Sequence, residues 1–478
     1  MRELLEDLID SASGRAAYAD ARHVRTQTEN VALRNGELAR LDGREEEGIG
    51  VRVRCGGAWG FAAARGSDRG AGEDALLRAL ALAEAQPRTA ELPLAPERPA
   101  LGSHASACEI EPFEVSLEDK LGLLAEVESA LRAEAGLSVA RAHVTSRVEQ
   151  RAFASTEGSL CDQRLVECGG GCEAIAVGRS GTQVRSYPGS HSGHVAQAGW
   201  EHVLALDLPG HAPRVAAEAV ALLDAPVCPS GRTTLVLAGE QLGLQLHESV
   251  GHALELDRVL GGEASYAGTS FVPADGIGSL RYGSELMNVT ADATLPGALG
   301  SFRWDDEGVE AQSVPLVGGG VLRGFLSSRE SAAQIGLDRS AGCMRAEGFA
   351  RQPIVRMTNV SLDPGGAGSL EQLIGDTDRG VLMETNRSWS IDSRRLQFQF
   401  AGEAAWEIVN GRLGRMLRDP VYAGTTPRFW SGLDAVCSPA EWRLASVTDC
   451  GKGEPGQLAS VSHGSAPARF RDVQVGSG

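Results

Sequence analysis

Hydrophobic residues return at helical spacing in several segments of the first half of the chain. The clearest case lies between residues 116 and 134, where apolar side chains recur every three or four positions: Leu117, Leu121, Leu124, Val127 and Leu131. Ser116 followed by Asp119 is typical of a helix N-terminus, because such side chains accept hydrogen bonds from the first backbone N–H groups. Residues 72–86 and 213–223 predict two further helices.

Between these helices, runs rich in valine and small residues predict β-strands. They cover residues 18–27, 49–62, 139–156, 160–177 and 182–190. After Gly261 the sequence becomes punctuated by glycine, with short β-like runs that continue to the C terminus. Proline recurs through residues 87–99, which predicts an exposed connector without regular structure.

These elements predict an α+β protein with two domains, since 478 residues exceed what one hydrophobic core usually organises. We expect residues 1–228 to form an α/β domain with an antiparallel sheet. Residues 229–478 are expected to form a β-rich domain, antiparallel and barrel-like, that also contains a helix after the strand near Thr233.

Charge and composition disfavour several classes of function. The chain has 63 acidic and 45 basic residues, a formal net charge of -18, which argues against nucleic acid and anionic membranes as partners. No apolar run approaches the roughly 20 residues of a membrane-spanning helix, and the acidic start does not resemble an export signal. The nine cysteines are an odd number scattered along the chain, so a cytoplasmic protein without a disulfide framework is expected.

One mostly apolar segment, residues 241–256, contains two imidazoles and two carboxylates whose burial without partners would be costly. His247, Glu248 and His252 resemble the zinc-peptidase pattern, in which two histidines bind the metal and the glutamate activates the attacking water. Here the histidines are five positions apart, which a regular α-helix separates by roughly 140°. A bulge of the π type would restore a common face, so we predict a local widening near Gly251.

A zinc site needs at least one more protein ligand, because catalytic zinc usually takes three protein groups and one water. Candidates from the sequence are Glu255, Asp257, His463 and the cysteines, among which Cys450 lies in a short glycine-bearing turn. Three other cysteines lack the spacing of paired metal ligands and are interpreted as structural: Cys161, Cys168 and Cys172. The motif alone also leaves open that both histidines are hydrogen-bonded core residues.

Six segments of the chain resemble the TldD/PmbA metallopeptidases, in particular their active TldD-like members. These segments are residues 247–255, 294–297, 305–308, 320–325, 356–359 and 449–452. The resemblance spans nearly the whole chain and implies that His247 and His252 bind zinc, with Glu248 as the general acid/base. It also selects Cys450, among the candidates left open above, as the third zinc ligand.

The resemblance further implies that Arg356, Met357 and Asn359 lie beside a bound peptide. Such proteins combine an α/β N-terminal domain with a β-rich peptidase domain, and assemble as a dimer of the active subunit with itself or with a related metal-free subunit. Flexible, unfolded peptides reach an enclosed site. Residues 384–394 lack the glycine-rich character of typical active members, so the resemblance leaves substrate choice open.

The leading hypothesis is therefore a zinc-dependent peptidase that acts on unfolded or flexible peptides. One alternative is a non-catalytic peptide-binding or assembly subunit, against which the intact set of His247, Glu248, His252 and Cys450 argues. The other alternative is a zinc amidase for a small molecule. A large groove rather than a compact pocket would favour a peptide over a small molecule.

Overall fold

The structure is a computed structural model that describes residues 1–87, 92–179, 181–191 and 193–476. Its α-helices are α1 (Arg2–Ala12), α2 (Arg69–Ala85), α3 (Leu117–Arg132), α4 (Trp200–Ala205), α5 (Leu208–Ala221), α6 (Gly239–Leu246), α7 (Leu256–Val259), α8 (Arg329–Gln334), α9 (Leu370–Gly375) and α10 (Thr426–Ser431). Its β-strands are β1 (Tyr18–Arg34), β2 (Glu37–Cys55), β3 (Ala58–Arg65), β4 (Leu101–Ala105), β5 (Leu137–Ser155), β6 (Leu160–Gly178), β7 (Gly181–Tyr187), β8 (His194–Ala196), β9 (Gly231–Leu237), β10 (Val289–Asp292), β11 (Ser313–Gly318), β12 (Val321–Leu322), β13 (Met344–Arg345), β14 (Ile354–Val355), β15 (Asn359–Leu362), β16 (Arg379–Met383), β17 (Asn386–Ile391), β18 (Gln397–Gly402), β19 (Ala405–Val409), β20 (Arg412–Leu417), β21 (Val421–Thr425), β22 (Leu433–Val436), β23 (Arg443–Lys452), β24 (Gln457–Ser465) and β25 (Ala468–Val475). The α+β class predicted from the sequence is confirmed.

The helices of the first half lie close to their predicted positions. The Ser116 hydroxyl accepts a hydrogen bond from the Asp119 N–H at 3.1 Å, so the predicted cap of α3 is confirmed. α5 starts earlier than predicted because Asp207 caps it, its carboxylate accepting from the Gly210 N–H. Residues 88–91 of the predicted connector lie outside the described residues, and residues 92–99 contain neither helix nor strand, as predicted.

The first eight strands form one sheet in the order β3-β2-β1-β5-β6-β4, with β7 and β8 also paired to β6. All of its pairs are antiparallel except β4 with β6. The strand predicted over 49–62 is divided by a tight turn at Gly56 and Gly57, whose positive φ angles of 56° and 81° favour glycine. Helices α1 and α2 cover one part of the sheet and α3 and α5 cover another, each over its own apolar cluster.

The strands after residue 230 form three small sheets and one large sheet. The large sheet has the order β17-β18-β21-β25-β9-β16-β19-β20, with β22 also paired to β25, and only β9 and β16 run parallel. The predicted β-rich, mostly antiparallel character is confirmed. The barrel does not close, however, because the edge strands β17 and β20 have no further strand partner among the described residues.

Helix α6 and the turn after it lie in the interior of this second region. Leu242, Leu246, Val250 and Leu254 recur every fourth residue and belong to its largest apolar cluster. The helix packs against the hairpin formed by β23 and β24. Burial of this apolar face therefore fixes the segment that carries His247 and His252.

Buried ion pairs join the first sheet to residues 305–308. Arg52 Nη1 lies 3.4 Å from Glu307 Oε1, and Asp306 Oδ1 lies 2.9 Å from Arg151 Nη1 and 3.5 Å from Arg22 Nη1. No strand before residue 200 pairs with a strand after residue 230 in the described parts of the chain, so these side chains link the two sheet systems. The domain boundary at residue 228 stays a prediction.

The nine cysteines are free thiols, as predicted, and most of them are buried. Among the helices that the structure describes, none combines the length and the apolar character needed to cross a bilayer. The cytoplasmic location stays a prediction.

Candidate metal centre

The segment that carries both histidines changes its helical type twice. α6 ends at Leu246, a π-helical turn covers His247–Gly251, and a 3-10 turn covers His252–Leu254. The His252 N–H donates to the His247 carbonyl five residues back, which is the bond that defines a π-helix. The widening predicted near Gly251 is confirmed, and the two ring centroids lie 4.7 Å apart with their planes at 88°.

Three side chains hold this π turn in shape. Met357 packs against Gly251 so closely that an added Cβ would lie 2.0 Å from the Met357 Sδ, so a larger residue there would displace Met357. The Tyr282 hydroxyl donates to the Ser249 carbonyl at 2.6 Å, and the Trp430 indole N–H donates to the Ser249 hydroxyl at 2.9 Å. Polar groups of the turn are thus satisfied inside the apolar core.

His247 is oriented from behind by a second imidazole. Its Nδ1 lies 2.7 Å from His463 Nε2, and His463 Nδ1 lies 2.7 Å from the Val360 carbonyl oxygen. Since a carbonyl only accepts, His463 carries its proton on Nδ1, and its Nε2 accepts from the Nδ1–H of His247. Burial and the neighbouring His247 hold the pKa of His463 well below its usual value, so the ring is neutral. With its proton on Nδ1, His247 has a free lone pair on Nε2, which can bind a metal ion.

His252 is oriented by a carboxylate instead. Its Nδ1 lies 2.9 Å from Oε2 of Glu255, which is fully buried. Burial alone would raise the pKa of Glu255, but the Lys452 ammonium at 3.4 Å and the His252 ring hold it below its usual value. Glu255 is therefore an anion that accepts from the Nδ1–H of His252, and the Nε2 of His252 is left as a lone-pair donor.

Cys450 reaches the site from β23, directly after an irregularity in the pairing of β23 with β24. Its Sγ lies 3.5 Å from His252 Nε2. Burial acts to raise the pKa of the Cys450 thiol, but the His252 ring and the Arg356 guanidinium lower it below its ordinary value. His247, His252 and Cys450 each bring one ligand atom within 4.8 Å of the others. Two imidazole nitrogens and one sulfur form a donor set that fits zinc.

The other residues considered as the third metal ligand bond to other groups of the protein instead. His463 and Glu255 bond to the Nδ1 atoms of the two histidines, and Asp257 Oδ1 accepts from Lys452 Nζ at 2.8 Å. Three cysteines that were interpreted as structural lie on β6, away from this site: Cys161, Cys168 and Cys172. Sequence reasoning missed the supporting roles of His463 and Glu255. The only local signal was the position of Glu255 three residues after His252.

The three residues predicted beside the substrate are buried. Arg356 is 1 % exposed, and its guanidinium donates to the carbonyl oxygens of Cys450 and Gln457, which fixes the hairpin that carries the thiol. Asn359 is fully buried, and both its amide nitrogen and its amide oxygen bond to backbone groups. Met357 packs under the π turn. All three support the backbone around the ligands, and their contact with a substrate stays a prediction.

Glu248 follows His247 in the π turn and is 6 % exposed. Its Oε2 accepts a hydrogen bond from Arg395 Nη1 at 2.7 Å. Burial would raise the pKa of Glu248, but the neighbouring imidazoles and the Arg395 guanidinium hold it below its usual value. Glu248 is thus ionised, as a proton acceptor must be. No sequence pattern had identified Arg395.

Comparison with known proteins extends these observations. Residues 230–477 match the PmbA/TldA metallopeptidase C-terminal domain, residues 19–86 match domain 1 and residues 110–224 match the central domain of the same family. A metalloprotease from Methanocaldococcus jannaschii is 29% identical over 462 residues, 95% of each chain. A zinc metalloprotease TldD homolog from Saccharolobus solfataricus is 26% identical over 248 residues, 52% of each chain. The crystal structure of TldE from Thermococcus kodakarensis shares the fold, with a TM-score of 0.74 and 16% identity over 99% of this chain and 100% of that one.

The match to the C-terminal metallopeptidase domain covers more than half of the chain. It contains every residue of the candidate metal centre, from His247 to Cys450. The other two matches fall on the first sheet and its helices, in the order expected for the family. The resemblance found in the sequence is confirmed, and this chain belongs to the PmbA/TldD metallopeptidase family.

Proposed function

We propose that this protein is a zinc-dependent metallopeptidase that hydrolyses peptide bonds in unfolded or flexible polypeptides. The observation that carries the proposal is the approach of His247, His252 and Cys450 to within 4.8 Å, in the same turn as an ionised Glu248. The names of the relatives support a metallopeptidase, and one of them is named a zinc metalloprotease.

In this proposal His247, His252 and Cys450 hold the metal. Zinc, when bound, supplies a positive centre that polarises the substrate carbonyl and makes water acidic enough to lose a proton near neutral pH. Glu248 accepts that proton on its carboxylate and then delivers it to the leaving amine nitrogen. His463 and Glu255 keep the two rings in the tautomers that direct Nε2 toward the metal.

Two cavities lie beside the hairpin that carries Cys450, and the residues that line them do not include His247, Glu248, His252 or Cys450. A cavity of about 730 Å³ is bordered by strands β1 and β5 and by Leu458 and Ser460 of β24. A second cavity of about 150 Å³ adjoins the same hairpin and shares these two residues. Leu458 pairs with Gly451, next to Cys450, and neighbouring residues of a strand point to opposite faces. The proposal of a peptide substrate therefore rests on the metalloprotease relatives and not on these cavities.

The decisive experiment is the substitution Glu248→Gln in the full chain. We expect it to bind zinc with unchanged stoichiometry and to cleave an unfolded protein such as reduced, alkylated casein at least about 100-fold more slowly, the usual lower range for loss of a general base. Glu371→Gln, on an exposed glutamate of α9 in the same half of the chain, serves as the control and should keep wild-type activity. Equal cleavage by wild type and Glu248→Gln would overturn the assigned base.

The same assay separates the alternatives. A non-catalytic peptide-binding subunit would bind the unfolded substrate without cleaving it, with or without zinc. A zinc amidase would release amine from small amides and leave polypeptides intact. We also propose that the chain assembles as a dimer with itself or with a related subunit, which light scattering of the purified protein tests.

A further inference from the structure

We propose that Arg395 determines specificity by binding a carboxylate of the substrate beside the cleaved bond. The carboxylate comes either from the C terminus of the peptide or from an acidic side chain next to that bond. This inference rests on the proposed peptidase function and concerns the residue that directly follows the segment 384–394, in which the sequence departs from typical active members of the family.

Arg395 differs from the other cations around the metal ligands in its accessibility. Arg258, Arg356 and Lys452 are each at most 2 % exposed and donate to carbonyl or carboxylate groups of the protein, so a substrate cannot reach them. The Arg395 side chain is 15 % exposed and lies on the turn between β17 and β18. It is therefore a cation beside Glu248 that a substrate can contact.

The backbone of this turn holds Arg395 in an unusual conformation. Its φ of 60° lies in the left-handed region, which a residue with a side chain adopts only where its surroundings impose it. Its N–H donates to the Asp392 carbonyl at 2.9 Å, and its carbonyl accepts from the Thr426 hydroxyl at 2.8 Å. The two preceding carbonyls accept from the backbone N–H groups of Thr269 and Phe271. These bonds fix the turn and direct the guanidinium toward Glu248.

The guanidinium has donors that the protein does not use. Nη1 donates to Glu248, whereas the buried Nε–H has no acceptor among the described residues. A planar guanidinium binds a carboxylate through two parallel N–H groups. The edge formed by Nε and Nη2 would make such a contact once the side chain turns its buried Nε toward the substrate. A substrate carboxylate on this edge would satisfy Nε while Glu248 keeps its own bond to Nη1.

This arrangement explains how the hairpin can select substrates without changing the chemistry. Glu248 and the proposed metal ligands lie on the π turn, the 3-10 turn that follows it and β23, while Arg395 comes from the turn between β17 and β18. A carboxylate bound by Arg395 would lie close to Glu248, and so close to the bond at which Glu248 acts. Peptides with a free C terminus, or with Asp or Glu beside the bond, are the expected class.

The test uses the full chain, loaded with zinc, and an N-terminally fluorescent, unstructured heptapeptide. The peptide is prepared with a free C-terminal carboxylate, as the C-terminal amide, and as the amide with one internal Gln replaced by Glu. We expect wild type to cleave the free acid or the Glu peptide about 10- to 100-fold faster in kcat/KM than the neutral amide, the range for a charge-assisted hydrogen bond. Arg395→Gln should remove this preference, and Arg395→Lys should retain part of it. Arg394→Gln, on the exposed neighbouring arginine of the same turn, is the matched control and should behave as wild type.

A second measurement does not depend on turnover. Fluorescence anisotropy with the metal-free protein should give about 10-fold tighter binding of the free acid or the Glu peptide than of the amide, again lost in Arg395→Gln. Equal cleavage and equal binding of all three peptides by wild type would overturn the inference, as would an equal loss on all three in Arg395→Gln. If no peptide is cleaved although zinc is bound, the proposed function fails, and the anisotropy experiment still decides whether Arg395 binds the carboxylate.

Discussion

The two sides of the candidate metal centre are built in different ways. On the ligand side, His247, His252 and Cys450 are each next to a buried partner group that is bonded to the protein in turn. On the side of Glu248, the proposed base, the carboxylate is bonded to Arg395, which comes from a partly exposed hairpin. The side with the three candidate metal ligands is therefore part of the buried interior of the protein. The second side is one that a substrate can contact.

Within the ligand side, the two imidazoles also differ. His247 donates to a neutral imidazole, whereas His252 donates to the buried anion of Glu255, whose charge is balanced by Lys452. An anionic partner makes an imidazole a stronger donor to a metal than a neutral partner does. The metal affinity should therefore depend on Glu255 more than on His463.

The largest effect is expected from removing a ligand atom on the buried side. Cys450→Ser should weaken zinc binding by more than the roughly 10- to 100-fold that loss of a supporting residue causes, because a neutral hydroxyl replaces a thiol whose pKa is already lowered. Competition with a chromogenic chelator measures the affinity, and elemental analysis measures the metal content.

Cys437→Ser is the matched control for this substitution. Cys437 is also fully buried in the same region, but it lies outside the group of three candidate ligands. It should bind zinc as wild type does. Wild-type zinc affinity in Cys450→Ser would contradict the ligand assignment.

The second effect separates the two imidazoles. Glu255→Gln keeps an oxygen that can accept from His252 but removes the negative charge, so zinc affinity should fall toward the upper end of about 10- to 100-fold. His463→Gln replaces one neutral partner with another, so its loss of zinc affinity should lie near the lower end of that range. Asp257→Asn, which alters another carboxylate bonded to Lys452, is the control and should leave zinc affinity nearly unchanged. Equal losses in the first two variants would refute the difference between neutral and anionic support.

The contrast between local and distant partners also explains what the sequence could reveal. His247, Glu248 and His252 lie within one turn, so their spacing alone predicted both a shared site and the π-type widening. Cys450 has no local relation to them, and only the family resemblance selected it. The supporting role of His463, which the sequence offered only as a possible ligand, and the role of Arg395 were missed. Both depend on strand pairing, in the β23–β24 hairpin and in the β17–β18 hairpin, which no periodicity specifies.

The fold followed the same rule. Helix α3 and the strands β5 and β6 were predicted closely, since caps and hydrophobic spacing are local properties. The polar second half of β1 and first half of β2 lie outside the predicted strands. The open shape of the large sheet depends on which strands meet at its edges, and the order β25-β9-β16 joins segments that are far apart in sequence. Residues 305–308 matched the family, yet their role in ion pairs with the first sheet became clear only from the structure.

A third effect concerns the backbone that carries the ligands. Gly251→Ala places a methyl group against Met357, and overpacking of this kind lowers the free energy of unfolding by about 1–3 kcal/mol. Chemical denaturation of the metal-free protein measures the change. In the double variant Gly251→Ala/Met357→Ala the clash is absent, so the two single losses should not add. Strict additivity would show that Met357 does not constrain the π turn.

The smallest effect should come from the polar support of the π turn. Trp430→Phe removes the hydrogen bond to the Ser249 hydroxyl and should lower the free energy of unfolding by about 0.5–1.5 kcal/mol. Because His463, Glu255 and Arg356 keep their contacts with the ligand residues, zinc affinity should stay within about twofold of wild type, well below the loss expected from a supporting residue. Trp442→Phe is the matched control, since the Trp442 indole donates at 3.1 Å to the Leu362 carbonyl and not to the turn. If both variants lose stability by similar amounts and keep wild-type zinc affinity, the Trp430 hydrogen bond stabilises the fold without affecting the metal. The metal affinity then depends on His463 and Glu255, which bond to the two imidazoles. A tenfold loss of zinc affinity in Trp430→Phe alone would show that the turn itself, and not only the ligand partners, sets the geometry of the metal site.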